Sequence, residues 1–205
     1  YLFTCISSLQ KLTNLDISIK TSKNPLGLTN FNRFGSPFSN SAPKDMFVYF
    51  NRIDLEVLKN LRELKIDFTA SMPSNTSFKI FCNRLRECSK LSNLRIVLAK
   101  CVSLIDPFLE MLGNALVELH SLSSLYLSFG RCNNISDSGI GQLSQKISYM
   151  KGIKDLSLDL EGSSAISNKT MSGIAEAISN LDNLTSLNLY FEDCEKLSDD
   201  DIQAL

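Results

Sequence analysis

Few side chains in this sequence could do chemistry, and their spacing limits what they could do. The one histidine, His120, falls between apolar Leu119 and Leu122 just ahead of a strand-like run. A nucleophilic triad needs a base beside a positioned nucleophile, and the surroundings of His120 read instead as those of a partly exposed structural residue. The six cysteines are Cys5, Cys82, Cys88, Cys101, Cys132 and Cys194, with no CxxC pair among them. Tetrahedral zinc wants four ligands, usually in close pairs. The thiols are therefore expected to pack as small buried hydrophobes in a reducing, intracellular (cytoplasmic) setting. Cys82 and Cys88 are expected on one helix, with Cys88 in a core position. Gly139 and Gly141, in GIGQ, lack the third glycine or the lysine of a phosphate-binding loop and read as helix-start packing. Asp199, Asp200 and Asp201 crowd a helix start, where the backbone dipole favours negative charge without catalysis. The reading is of a chain that is not an enzyme, with no catalytic residue, no metal site and no cofactor.

Composition narrows the partners. Twenty-one basic residues face 22 acidic ones over 205 residues, a net charge of −1. That leaves no basic footprint for nucleic acid and no polybasic patch for a membrane surface. No apolar run approaches the roughly 18 residues of a membrane span. The sequons at Asn75, Asn134, Asn168 and Asn183 are about as many as chance gives in a chain this rich in Asn, Ser and Thr, and do not argue for secretion.

What must position any functional side chain is an internal repeat. Six octets share one apolar frame: LTNLDISI (12–19), LRELKIDF (61–68), LSNLRIVL (91–98), LSSLYLSF (122–129), IKDLSLDL (153–160) and LTSLNLYF (184–191). Their fourth residues are Leu15, Leu64, Leu94, Leu125, Leu156 and Leu187, with gaps of 49, 30, 31, 31 and 31. Alternation within each octet puts the apolar residues on one face of a short strand. Upstream the spacing becomes three and four, as in Ile140, Leu143, Ile147, Met150 and Ile153. That is one face of an amphipathic helix, so each unit is expected to be strand, loop and helix. Asp45, Thr76, Asp106, Asp137, Asn168 and Asp199 fall at the helix starts and are expected as N-caps, with Pro107 at the first helical position after Asp106. Three residues after each strand come Ser22, Ser71, Cys101, Cys132, Ser163 and Cys194, expected as a buried ladder whose hydroxyls and thiols bond loop backbone.

This L-x-x-L-x-L frame with a full helix per unit resembles the leucine-rich-repeat family, nearest its long, ribonuclease-inhibitor-like class. The resemblance covers nearly all the chain except residues 20–44. It implies an α/β solenoid of about six repeats, a horseshoe with a parallel sheet on the concave side and helices on the convex side. One departure is plain. The family usually places Asn or Cys just after the strand, where this chain has Lys20, Thr69, Ala99, Gly130, Glu161 and Glu192. The Ser/Cys ladder is expected to take over part of that role.

The first repeat begins and the last stops within a helix pattern, so residues 1–205 are expected to be a single leucine-rich-repeat domain cut from a longer solenoid. Residues 20–44, rich in Pro and Gly yet holding Leu26, Leu28, Phe31, Phe34 and Phe38, read as an irregular insertion. It is expected either to fold back on the first repeats or to serve as a binding loop. Alternation turns outward a second set of strand residues, including Asp16, Lys65, Asp67, Arg95, Tyr126, Asp159 and Tyr190. With Phe31, Phe34 and Phe38 these are the candidate protein-binding residues, Arg and Tyr being common anchors. Carboxylates outnumber cations on that face, which predicts a protein partner with a modestly basic face. The function read from all this is a non-catalytic interaction scaffold or assembly subunit, with other proteins as partners. The alternatives are a GTPase-activating protein of the Ran-activator type, for which Arg131 is the obvious loop cation, the substrate-recognition repeats of a ubiquitin ligase, and the sensing arm of a larger kinase or receptor.

Overall fold

The apolar octets become strands. In the computed structural model, which describes residues 9, 11–18 and 45–198, they are β1 (Asn14–Ser18), β2 (Glu63–Asp67), β3 (Asn93–Val97), β4 (Ser124–Ser128), β5 (Asp155–Asp159) and β6 (Ser186–Tyr190). All six pair parallel in chain order within one sheet. The register sets Leu15, Leu64, Leu94, Leu125, Leu156 and Leu187 in a single row. Slipping any of β1 to β5 by one residue would turn a buried apolar set outward, so burial fixes their register. Between strands run α3 (Asn75–Arg86), α4 (Asp106–Leu116), α5 (Asp137–Ile147) and α6 (Asn168–Ser179), each packed on the next. One hydrophobic core fills the space between these helices and the sheet. The result is an α/β fold with a parallel six-stranded sheet flanked by helices. No helix among the described residues is long and apolar enough to cross a membrane.

The unit between β1 and β2 departs from the expected single helix. Among its described residues it has two short ones, α1 (Phe47–Phe50) and α2 (Leu55–Leu58). Asp54 is the reason: its extended backbone ends the first helical path, and its carboxylate accepts the Glu56 N–H to start a second. The break still buries Phe47, Phe50, Ile53, Val57 and Leu58. Phe47 packs on Phe68, Phe78 and Phe81 with ring centroids 5.1, 5.0 and 4.9 Å apart. Aromatic packing of that kind secures this end of the core.

Beyond the strands the chain turns through one recurrent residue. Ala70, Lys100, Arg131, Gly162 and Asp193 have φ of 60, 59, 59, 63 and 57°. The N–H groups of the first four donate to the carbonyls of Ala99, Gly130, Glu161 and Glu192 in the following unit, at 2.8, 2.8, 2.7 and 2.7 Å. These acceptors belong to the residues just after the apolar octets, none of which is Asn. The backbone satisfies itself there, so no amide side chain is required. The next residue in each loop then enters the core: Ser71, Cys101, Cys132, Ser163 and Cys194 are all buried. The thiols of Cys101, Cys132 and Cys194 donate to the carbonyls of Phe68, Leu98 and Leu160 at 3.3, 3.1 and 3.2 Å. Ser71 Oγ accepts the Met46 N–H at 2.9 Å. Ser22 lies outside the described residues.

The expected N-cap ladder is corrected. The caps of α3, α5 and α6 are Ser74, Ser136 and Ser167, each with its hydroxyl accepting a backbone N–H, and α4 follows Ile105 without a side-chain cap. Asp106, Asp137 and Asn168 are instead the first helical residues, Thr76 the second of α3, and Pro107 the second of α4. A serine precedes each of the last four helix starts but one, and its short hydroxyl reaches its own helix end better than the next residue can. The carboxylates reach across to the following unit. Asp106 accepts the N–H and hydroxyl of Ser136 at 2.8 and 2.6 Å. Asp137 does the same for Ser167, at 2.7 Å each, and takes the Thr170 hydroxyl at 2.6 Å. Asp45 accepts the Ser74 N–H at 3.0 Å and the Ser77 hydroxyl, and also the Phe47 N–H at 3.1 Å, where Met46 is the formal cap of α1. Each acid thus serves the N-terminus of its neighbour, where free N–H groups and the helix dipole attract it. Gly139 belongs to this arrangement, because a Cβ there would stand 2.3 Å from Asp106 Oδ1. Asp199, with Asp200 and Asp201, lies outside the described residues.

Candidate protein-binding surface

Opposite the core, the strands carry three rows of outward side chains. The middle row runs Asp16, Lys65, Arg95, Tyr126, Ser157, Asn188 across the register. Beside it run Ser18, Asp67, Val97, Ser128, Asp159 and Tyr190. Asp16, Lys65, Arg95 and Tyr190 are exposed; Asp67, Tyr126 and Asp159 are half-buried. All seven strand residues expected at a binding face are therefore brought onto one face. Phe31, Phe34 and Phe38, with the rest of segment 20–44, lie outside the described residues.

At the centre of the face the side chains form a connected group. The Arg95 guanidinium carbon lies over the Tyr126 ring, 3.5 Å from its centroid, a cation–π contact. The Tyr126 hydroxyl donates to Asp159 Oδ2 at 3.4 Å, and the Ser128 hydroxyl donates to the same oxygen at 2.8 Å. Asp159 Oδ1 accepts the Glu161 N–H at 3.0 Å. Burial, joined by the nearby Asp159 charge, raises the Tyr126 pKa, with Arg95 acting against it. Tyr126 is thus held neutral as a donor. Ser128, outward by alternation, is 2 % exposed because this network covers it. Its partner is 31 residues away, so sequence spacing gave no sign of the bond. Toward β1, Lys65 pairs with Glu63 at 2.6 Å, and Asn14 donates to Glu63 at 2.6 Å. Glu63 is held below, and Lys65 above, its ordinary pKa, each chiefly by its hydrogen bond to the other.

Other side chains that could do chemistry are placed elsewhere. His120 is exposed on the helix-to-strand edge, beside a hollow of about 230 Å³ lined by Val117, Leu119, Leu122, Tyr149 and Met150. Arg131 forms ion pairs with Glu161 at 3.1 Å and Asp193 at 3.4 Å. Cys82 lies in α3, whereas Cys88 falls just past its end, correcting the expectation of a shared helix. The helix closes at Glu87, and Cys88 turns into the core with its thiol near the Arg84 carbonyl. Burial pushes the Cys82 and Cys88 thiols up to about 12 and that of Cys132 up to about 11. A thiol so protonated is a poor nucleophile and a poor metal ligand. No group of His, Cys, Asp or Glu among the described residues is arranged to hold a metal ion.

No family model matches the chain, and no curated protein matches it. Among solved structures it is similar to one described as leiomodin-1 actin-binding site 2, at 19 % identity and a TM-score of 0.45. That similarity covers 58 % of this chain and 65 % of the other, so the chain spans just under two thirds of the structure it matches.

Proposed function

We propose that this chain is a leucine-rich-repeat solenoid acting as a non-catalytic protein-interaction surface, and that the outward strand face is where its partner binds. One observation carries the reading. Parallel sheets ordinarily have both faces covered, whereas here one face leaves exposed or half-exposed side chains on every strand, centred on the Arg95–Tyr126–Asp159 group. Tyr126 is already positioned by its neighbours, so it loses little freedom on binding. Tyr190, 41 % exposed two strands away, offers a second aromatic contact. The buried free thiols support an intracellular, reducing setting.

The test is affinity capture of the tagged chain followed by cross-linking, comparing the unmodified protein with Tyr126→Ala and Tyr190→Ala. Cross-links should fall on the strand face, and each substitution should weaken capture by at least about tenfold, as expected when an aromatic anchor is truncated. Unchanged capture by both variants would remove the strand face from consideration.

A further inference from the structure

We propose that the partner segment crossing β2 to β4 presents an Asp or Glu carboxylate to the Arg95 guanidinium, so that the face reads an acidic peptide. This rests on the strand-face reading above and names the chemistry of its partner.

Counting charges gives the opposite answer, because acidic groups outnumber basic ones on this face. Following Asp159, Asp67 and Glu63 to their partners changes that for the middle of the face. Asp16 on β1 and Asp155 on β5 are exposed and lie outside that group. Asp159 accepts from Glu161 N–H with one oxygen and from Ser128 and Tyr126 with the other. Asp67, in the same row, accepts the N–H and hydroxyl of Thr69 at 3.1 and 2.6 Å. Glu63 is held between Lys65 and Asn14. These acids tie strand ends to their own loops or neighbours and offer little to an incoming cation.

Arg95 differs from all of them. It is exposed, and among the described residues it makes no ion pair with any carboxylate. Stacking on Tyr126 engages the face of the guanidinium of this exposed residue, and no carboxylate among the described residues takes up its N–H groups. Those donors lie in one plane at the spacing of a carboxylate's two oxygens. Lys65, the register neighbour of Arg95 on β2, is already paired with Glu63, which leaves Arg95 as the cation of the middle row without a carboxylate partner. An anion docking there meets the Arg95 guanidinium.

The experiment selects short peptides from a random display library on the folded chain, then measures synthetic copies against the unmodified protein, Arg95→Ala, Arg95→Lys and the double variant Tyr126→Ala/Tyr190→Ala. Circular dichroism checks that each variant folds. The expected result is enrichment in Asp and Glu. Replacing the selected Glu by Gln should weaken binding to the unmodified chain about tenfold and leave binding to Arg95→Ala unchanged. Arg95→Lys should not restore affinity, since an ammonium lacks the planar fork. Enrichment in Lys and Arg, or acidic peptides that bind Arg95→Ala as well as the unmodified chain, would overturn the proposal. Peptides kept by Arg95→Ala but lost on the double Tyr variant would sink it while leaving the strand face standing. Peptides kept by every variant, or no enriched sequence at all, would count against both. A copy with phosphoserine in place of the Glu that binds more than about tenfold tighter would reassign the site to phosphate.

Discussion

Gly162 and Lys100 occupy equivalent left-handed positions, yet their side chains put them in opposite situations. At Gly162 a Cβ would be strained by φ of 63° and would stand 2.9 Å from the Arg131 side chain. Gly162→Ala is therefore expected to lower unfolding stability by about 1–2 kcal/mol, measured by urea titration. Lys100 has the same backbone with a side chain exposed to solvent. Lys100→Gly relieves the left-handed penalty, gives back part of the gain as chain entropy, and should stabilise by about 0.5 kcal/mol in the same titration. Neither residue stands out in the sequence, because Ala, Lys, Arg, Gly and Asp share the position. Periodicity reveals apolar positions; a backbone torsion shared by five unlike side chains leaves no such mark. The same limit hid the surroundings of Arg131, whose ion-pair partners are 30 and 62 residues away.

The helix N-termini are linked from unit to unit by carboxylates, and this link is sensitive to acid. Burial pulls the Asp137 pKa upward but is outweighed by the bonds from Thr170 and Ser167 together, so it lies below its ordinary value of 3.8. A depressed carboxylate contributes stability that is fully present above the unfolded value and is lost as pH falls through the folded one. Stability should therefore fall as pH drops below about 4, and Asp137→Asn should flatten that part of the profile. At neutral pH Asp137→Ala should cost about 1–3 kcal/mol, the expense of leaving the Ser167 and Thr170 donors without their acceptor. An acid-titration slope identical in the Asn variant would disprove the link. The sequence located these acids at the helix starts but assigned them as caps of their own helices. Asp and Ser are both good caps, and which of two adjacent residues faces the neighbouring unit depends on a direction along the stack that one unit does not contain. Where Asp is replaced by Thr76, the following helix starts after apolar Ile105, so the acid and the serine it meets are absent together.

Across the whole molecule, strand order equals chain order, so each unit rests on the units beside it in sequence. The leucine register was legible in the sequence because every unit must bury the same face; the split into α1 and α2 was not, because the buried set survives the break at Asn51–Asp54. Stability in such a stack is close to a sum of unit and neighbour contributions. Leu125→Ala, at a buried position on β4, is expected to cost about 2–5 kcal/mol. Thiol labelling should then accelerate more at Cys101 and Cys132, in the loops following β3 and β4, than at Cys194 after β6. Equal acceleration at all three would mean the stack opens as one block. The left-handed column has a further use of another kind. Lys100, Arg131 and Asp193 are exposed, recur at one point in their units and share one torsion. Spin labels at Lys100 and Asp193, three units apart, would have matching orientation relative to their own strands. Their separation, set against that of labels placed on the helices of the same two units, measures whether the sheet bends in solution and by how much.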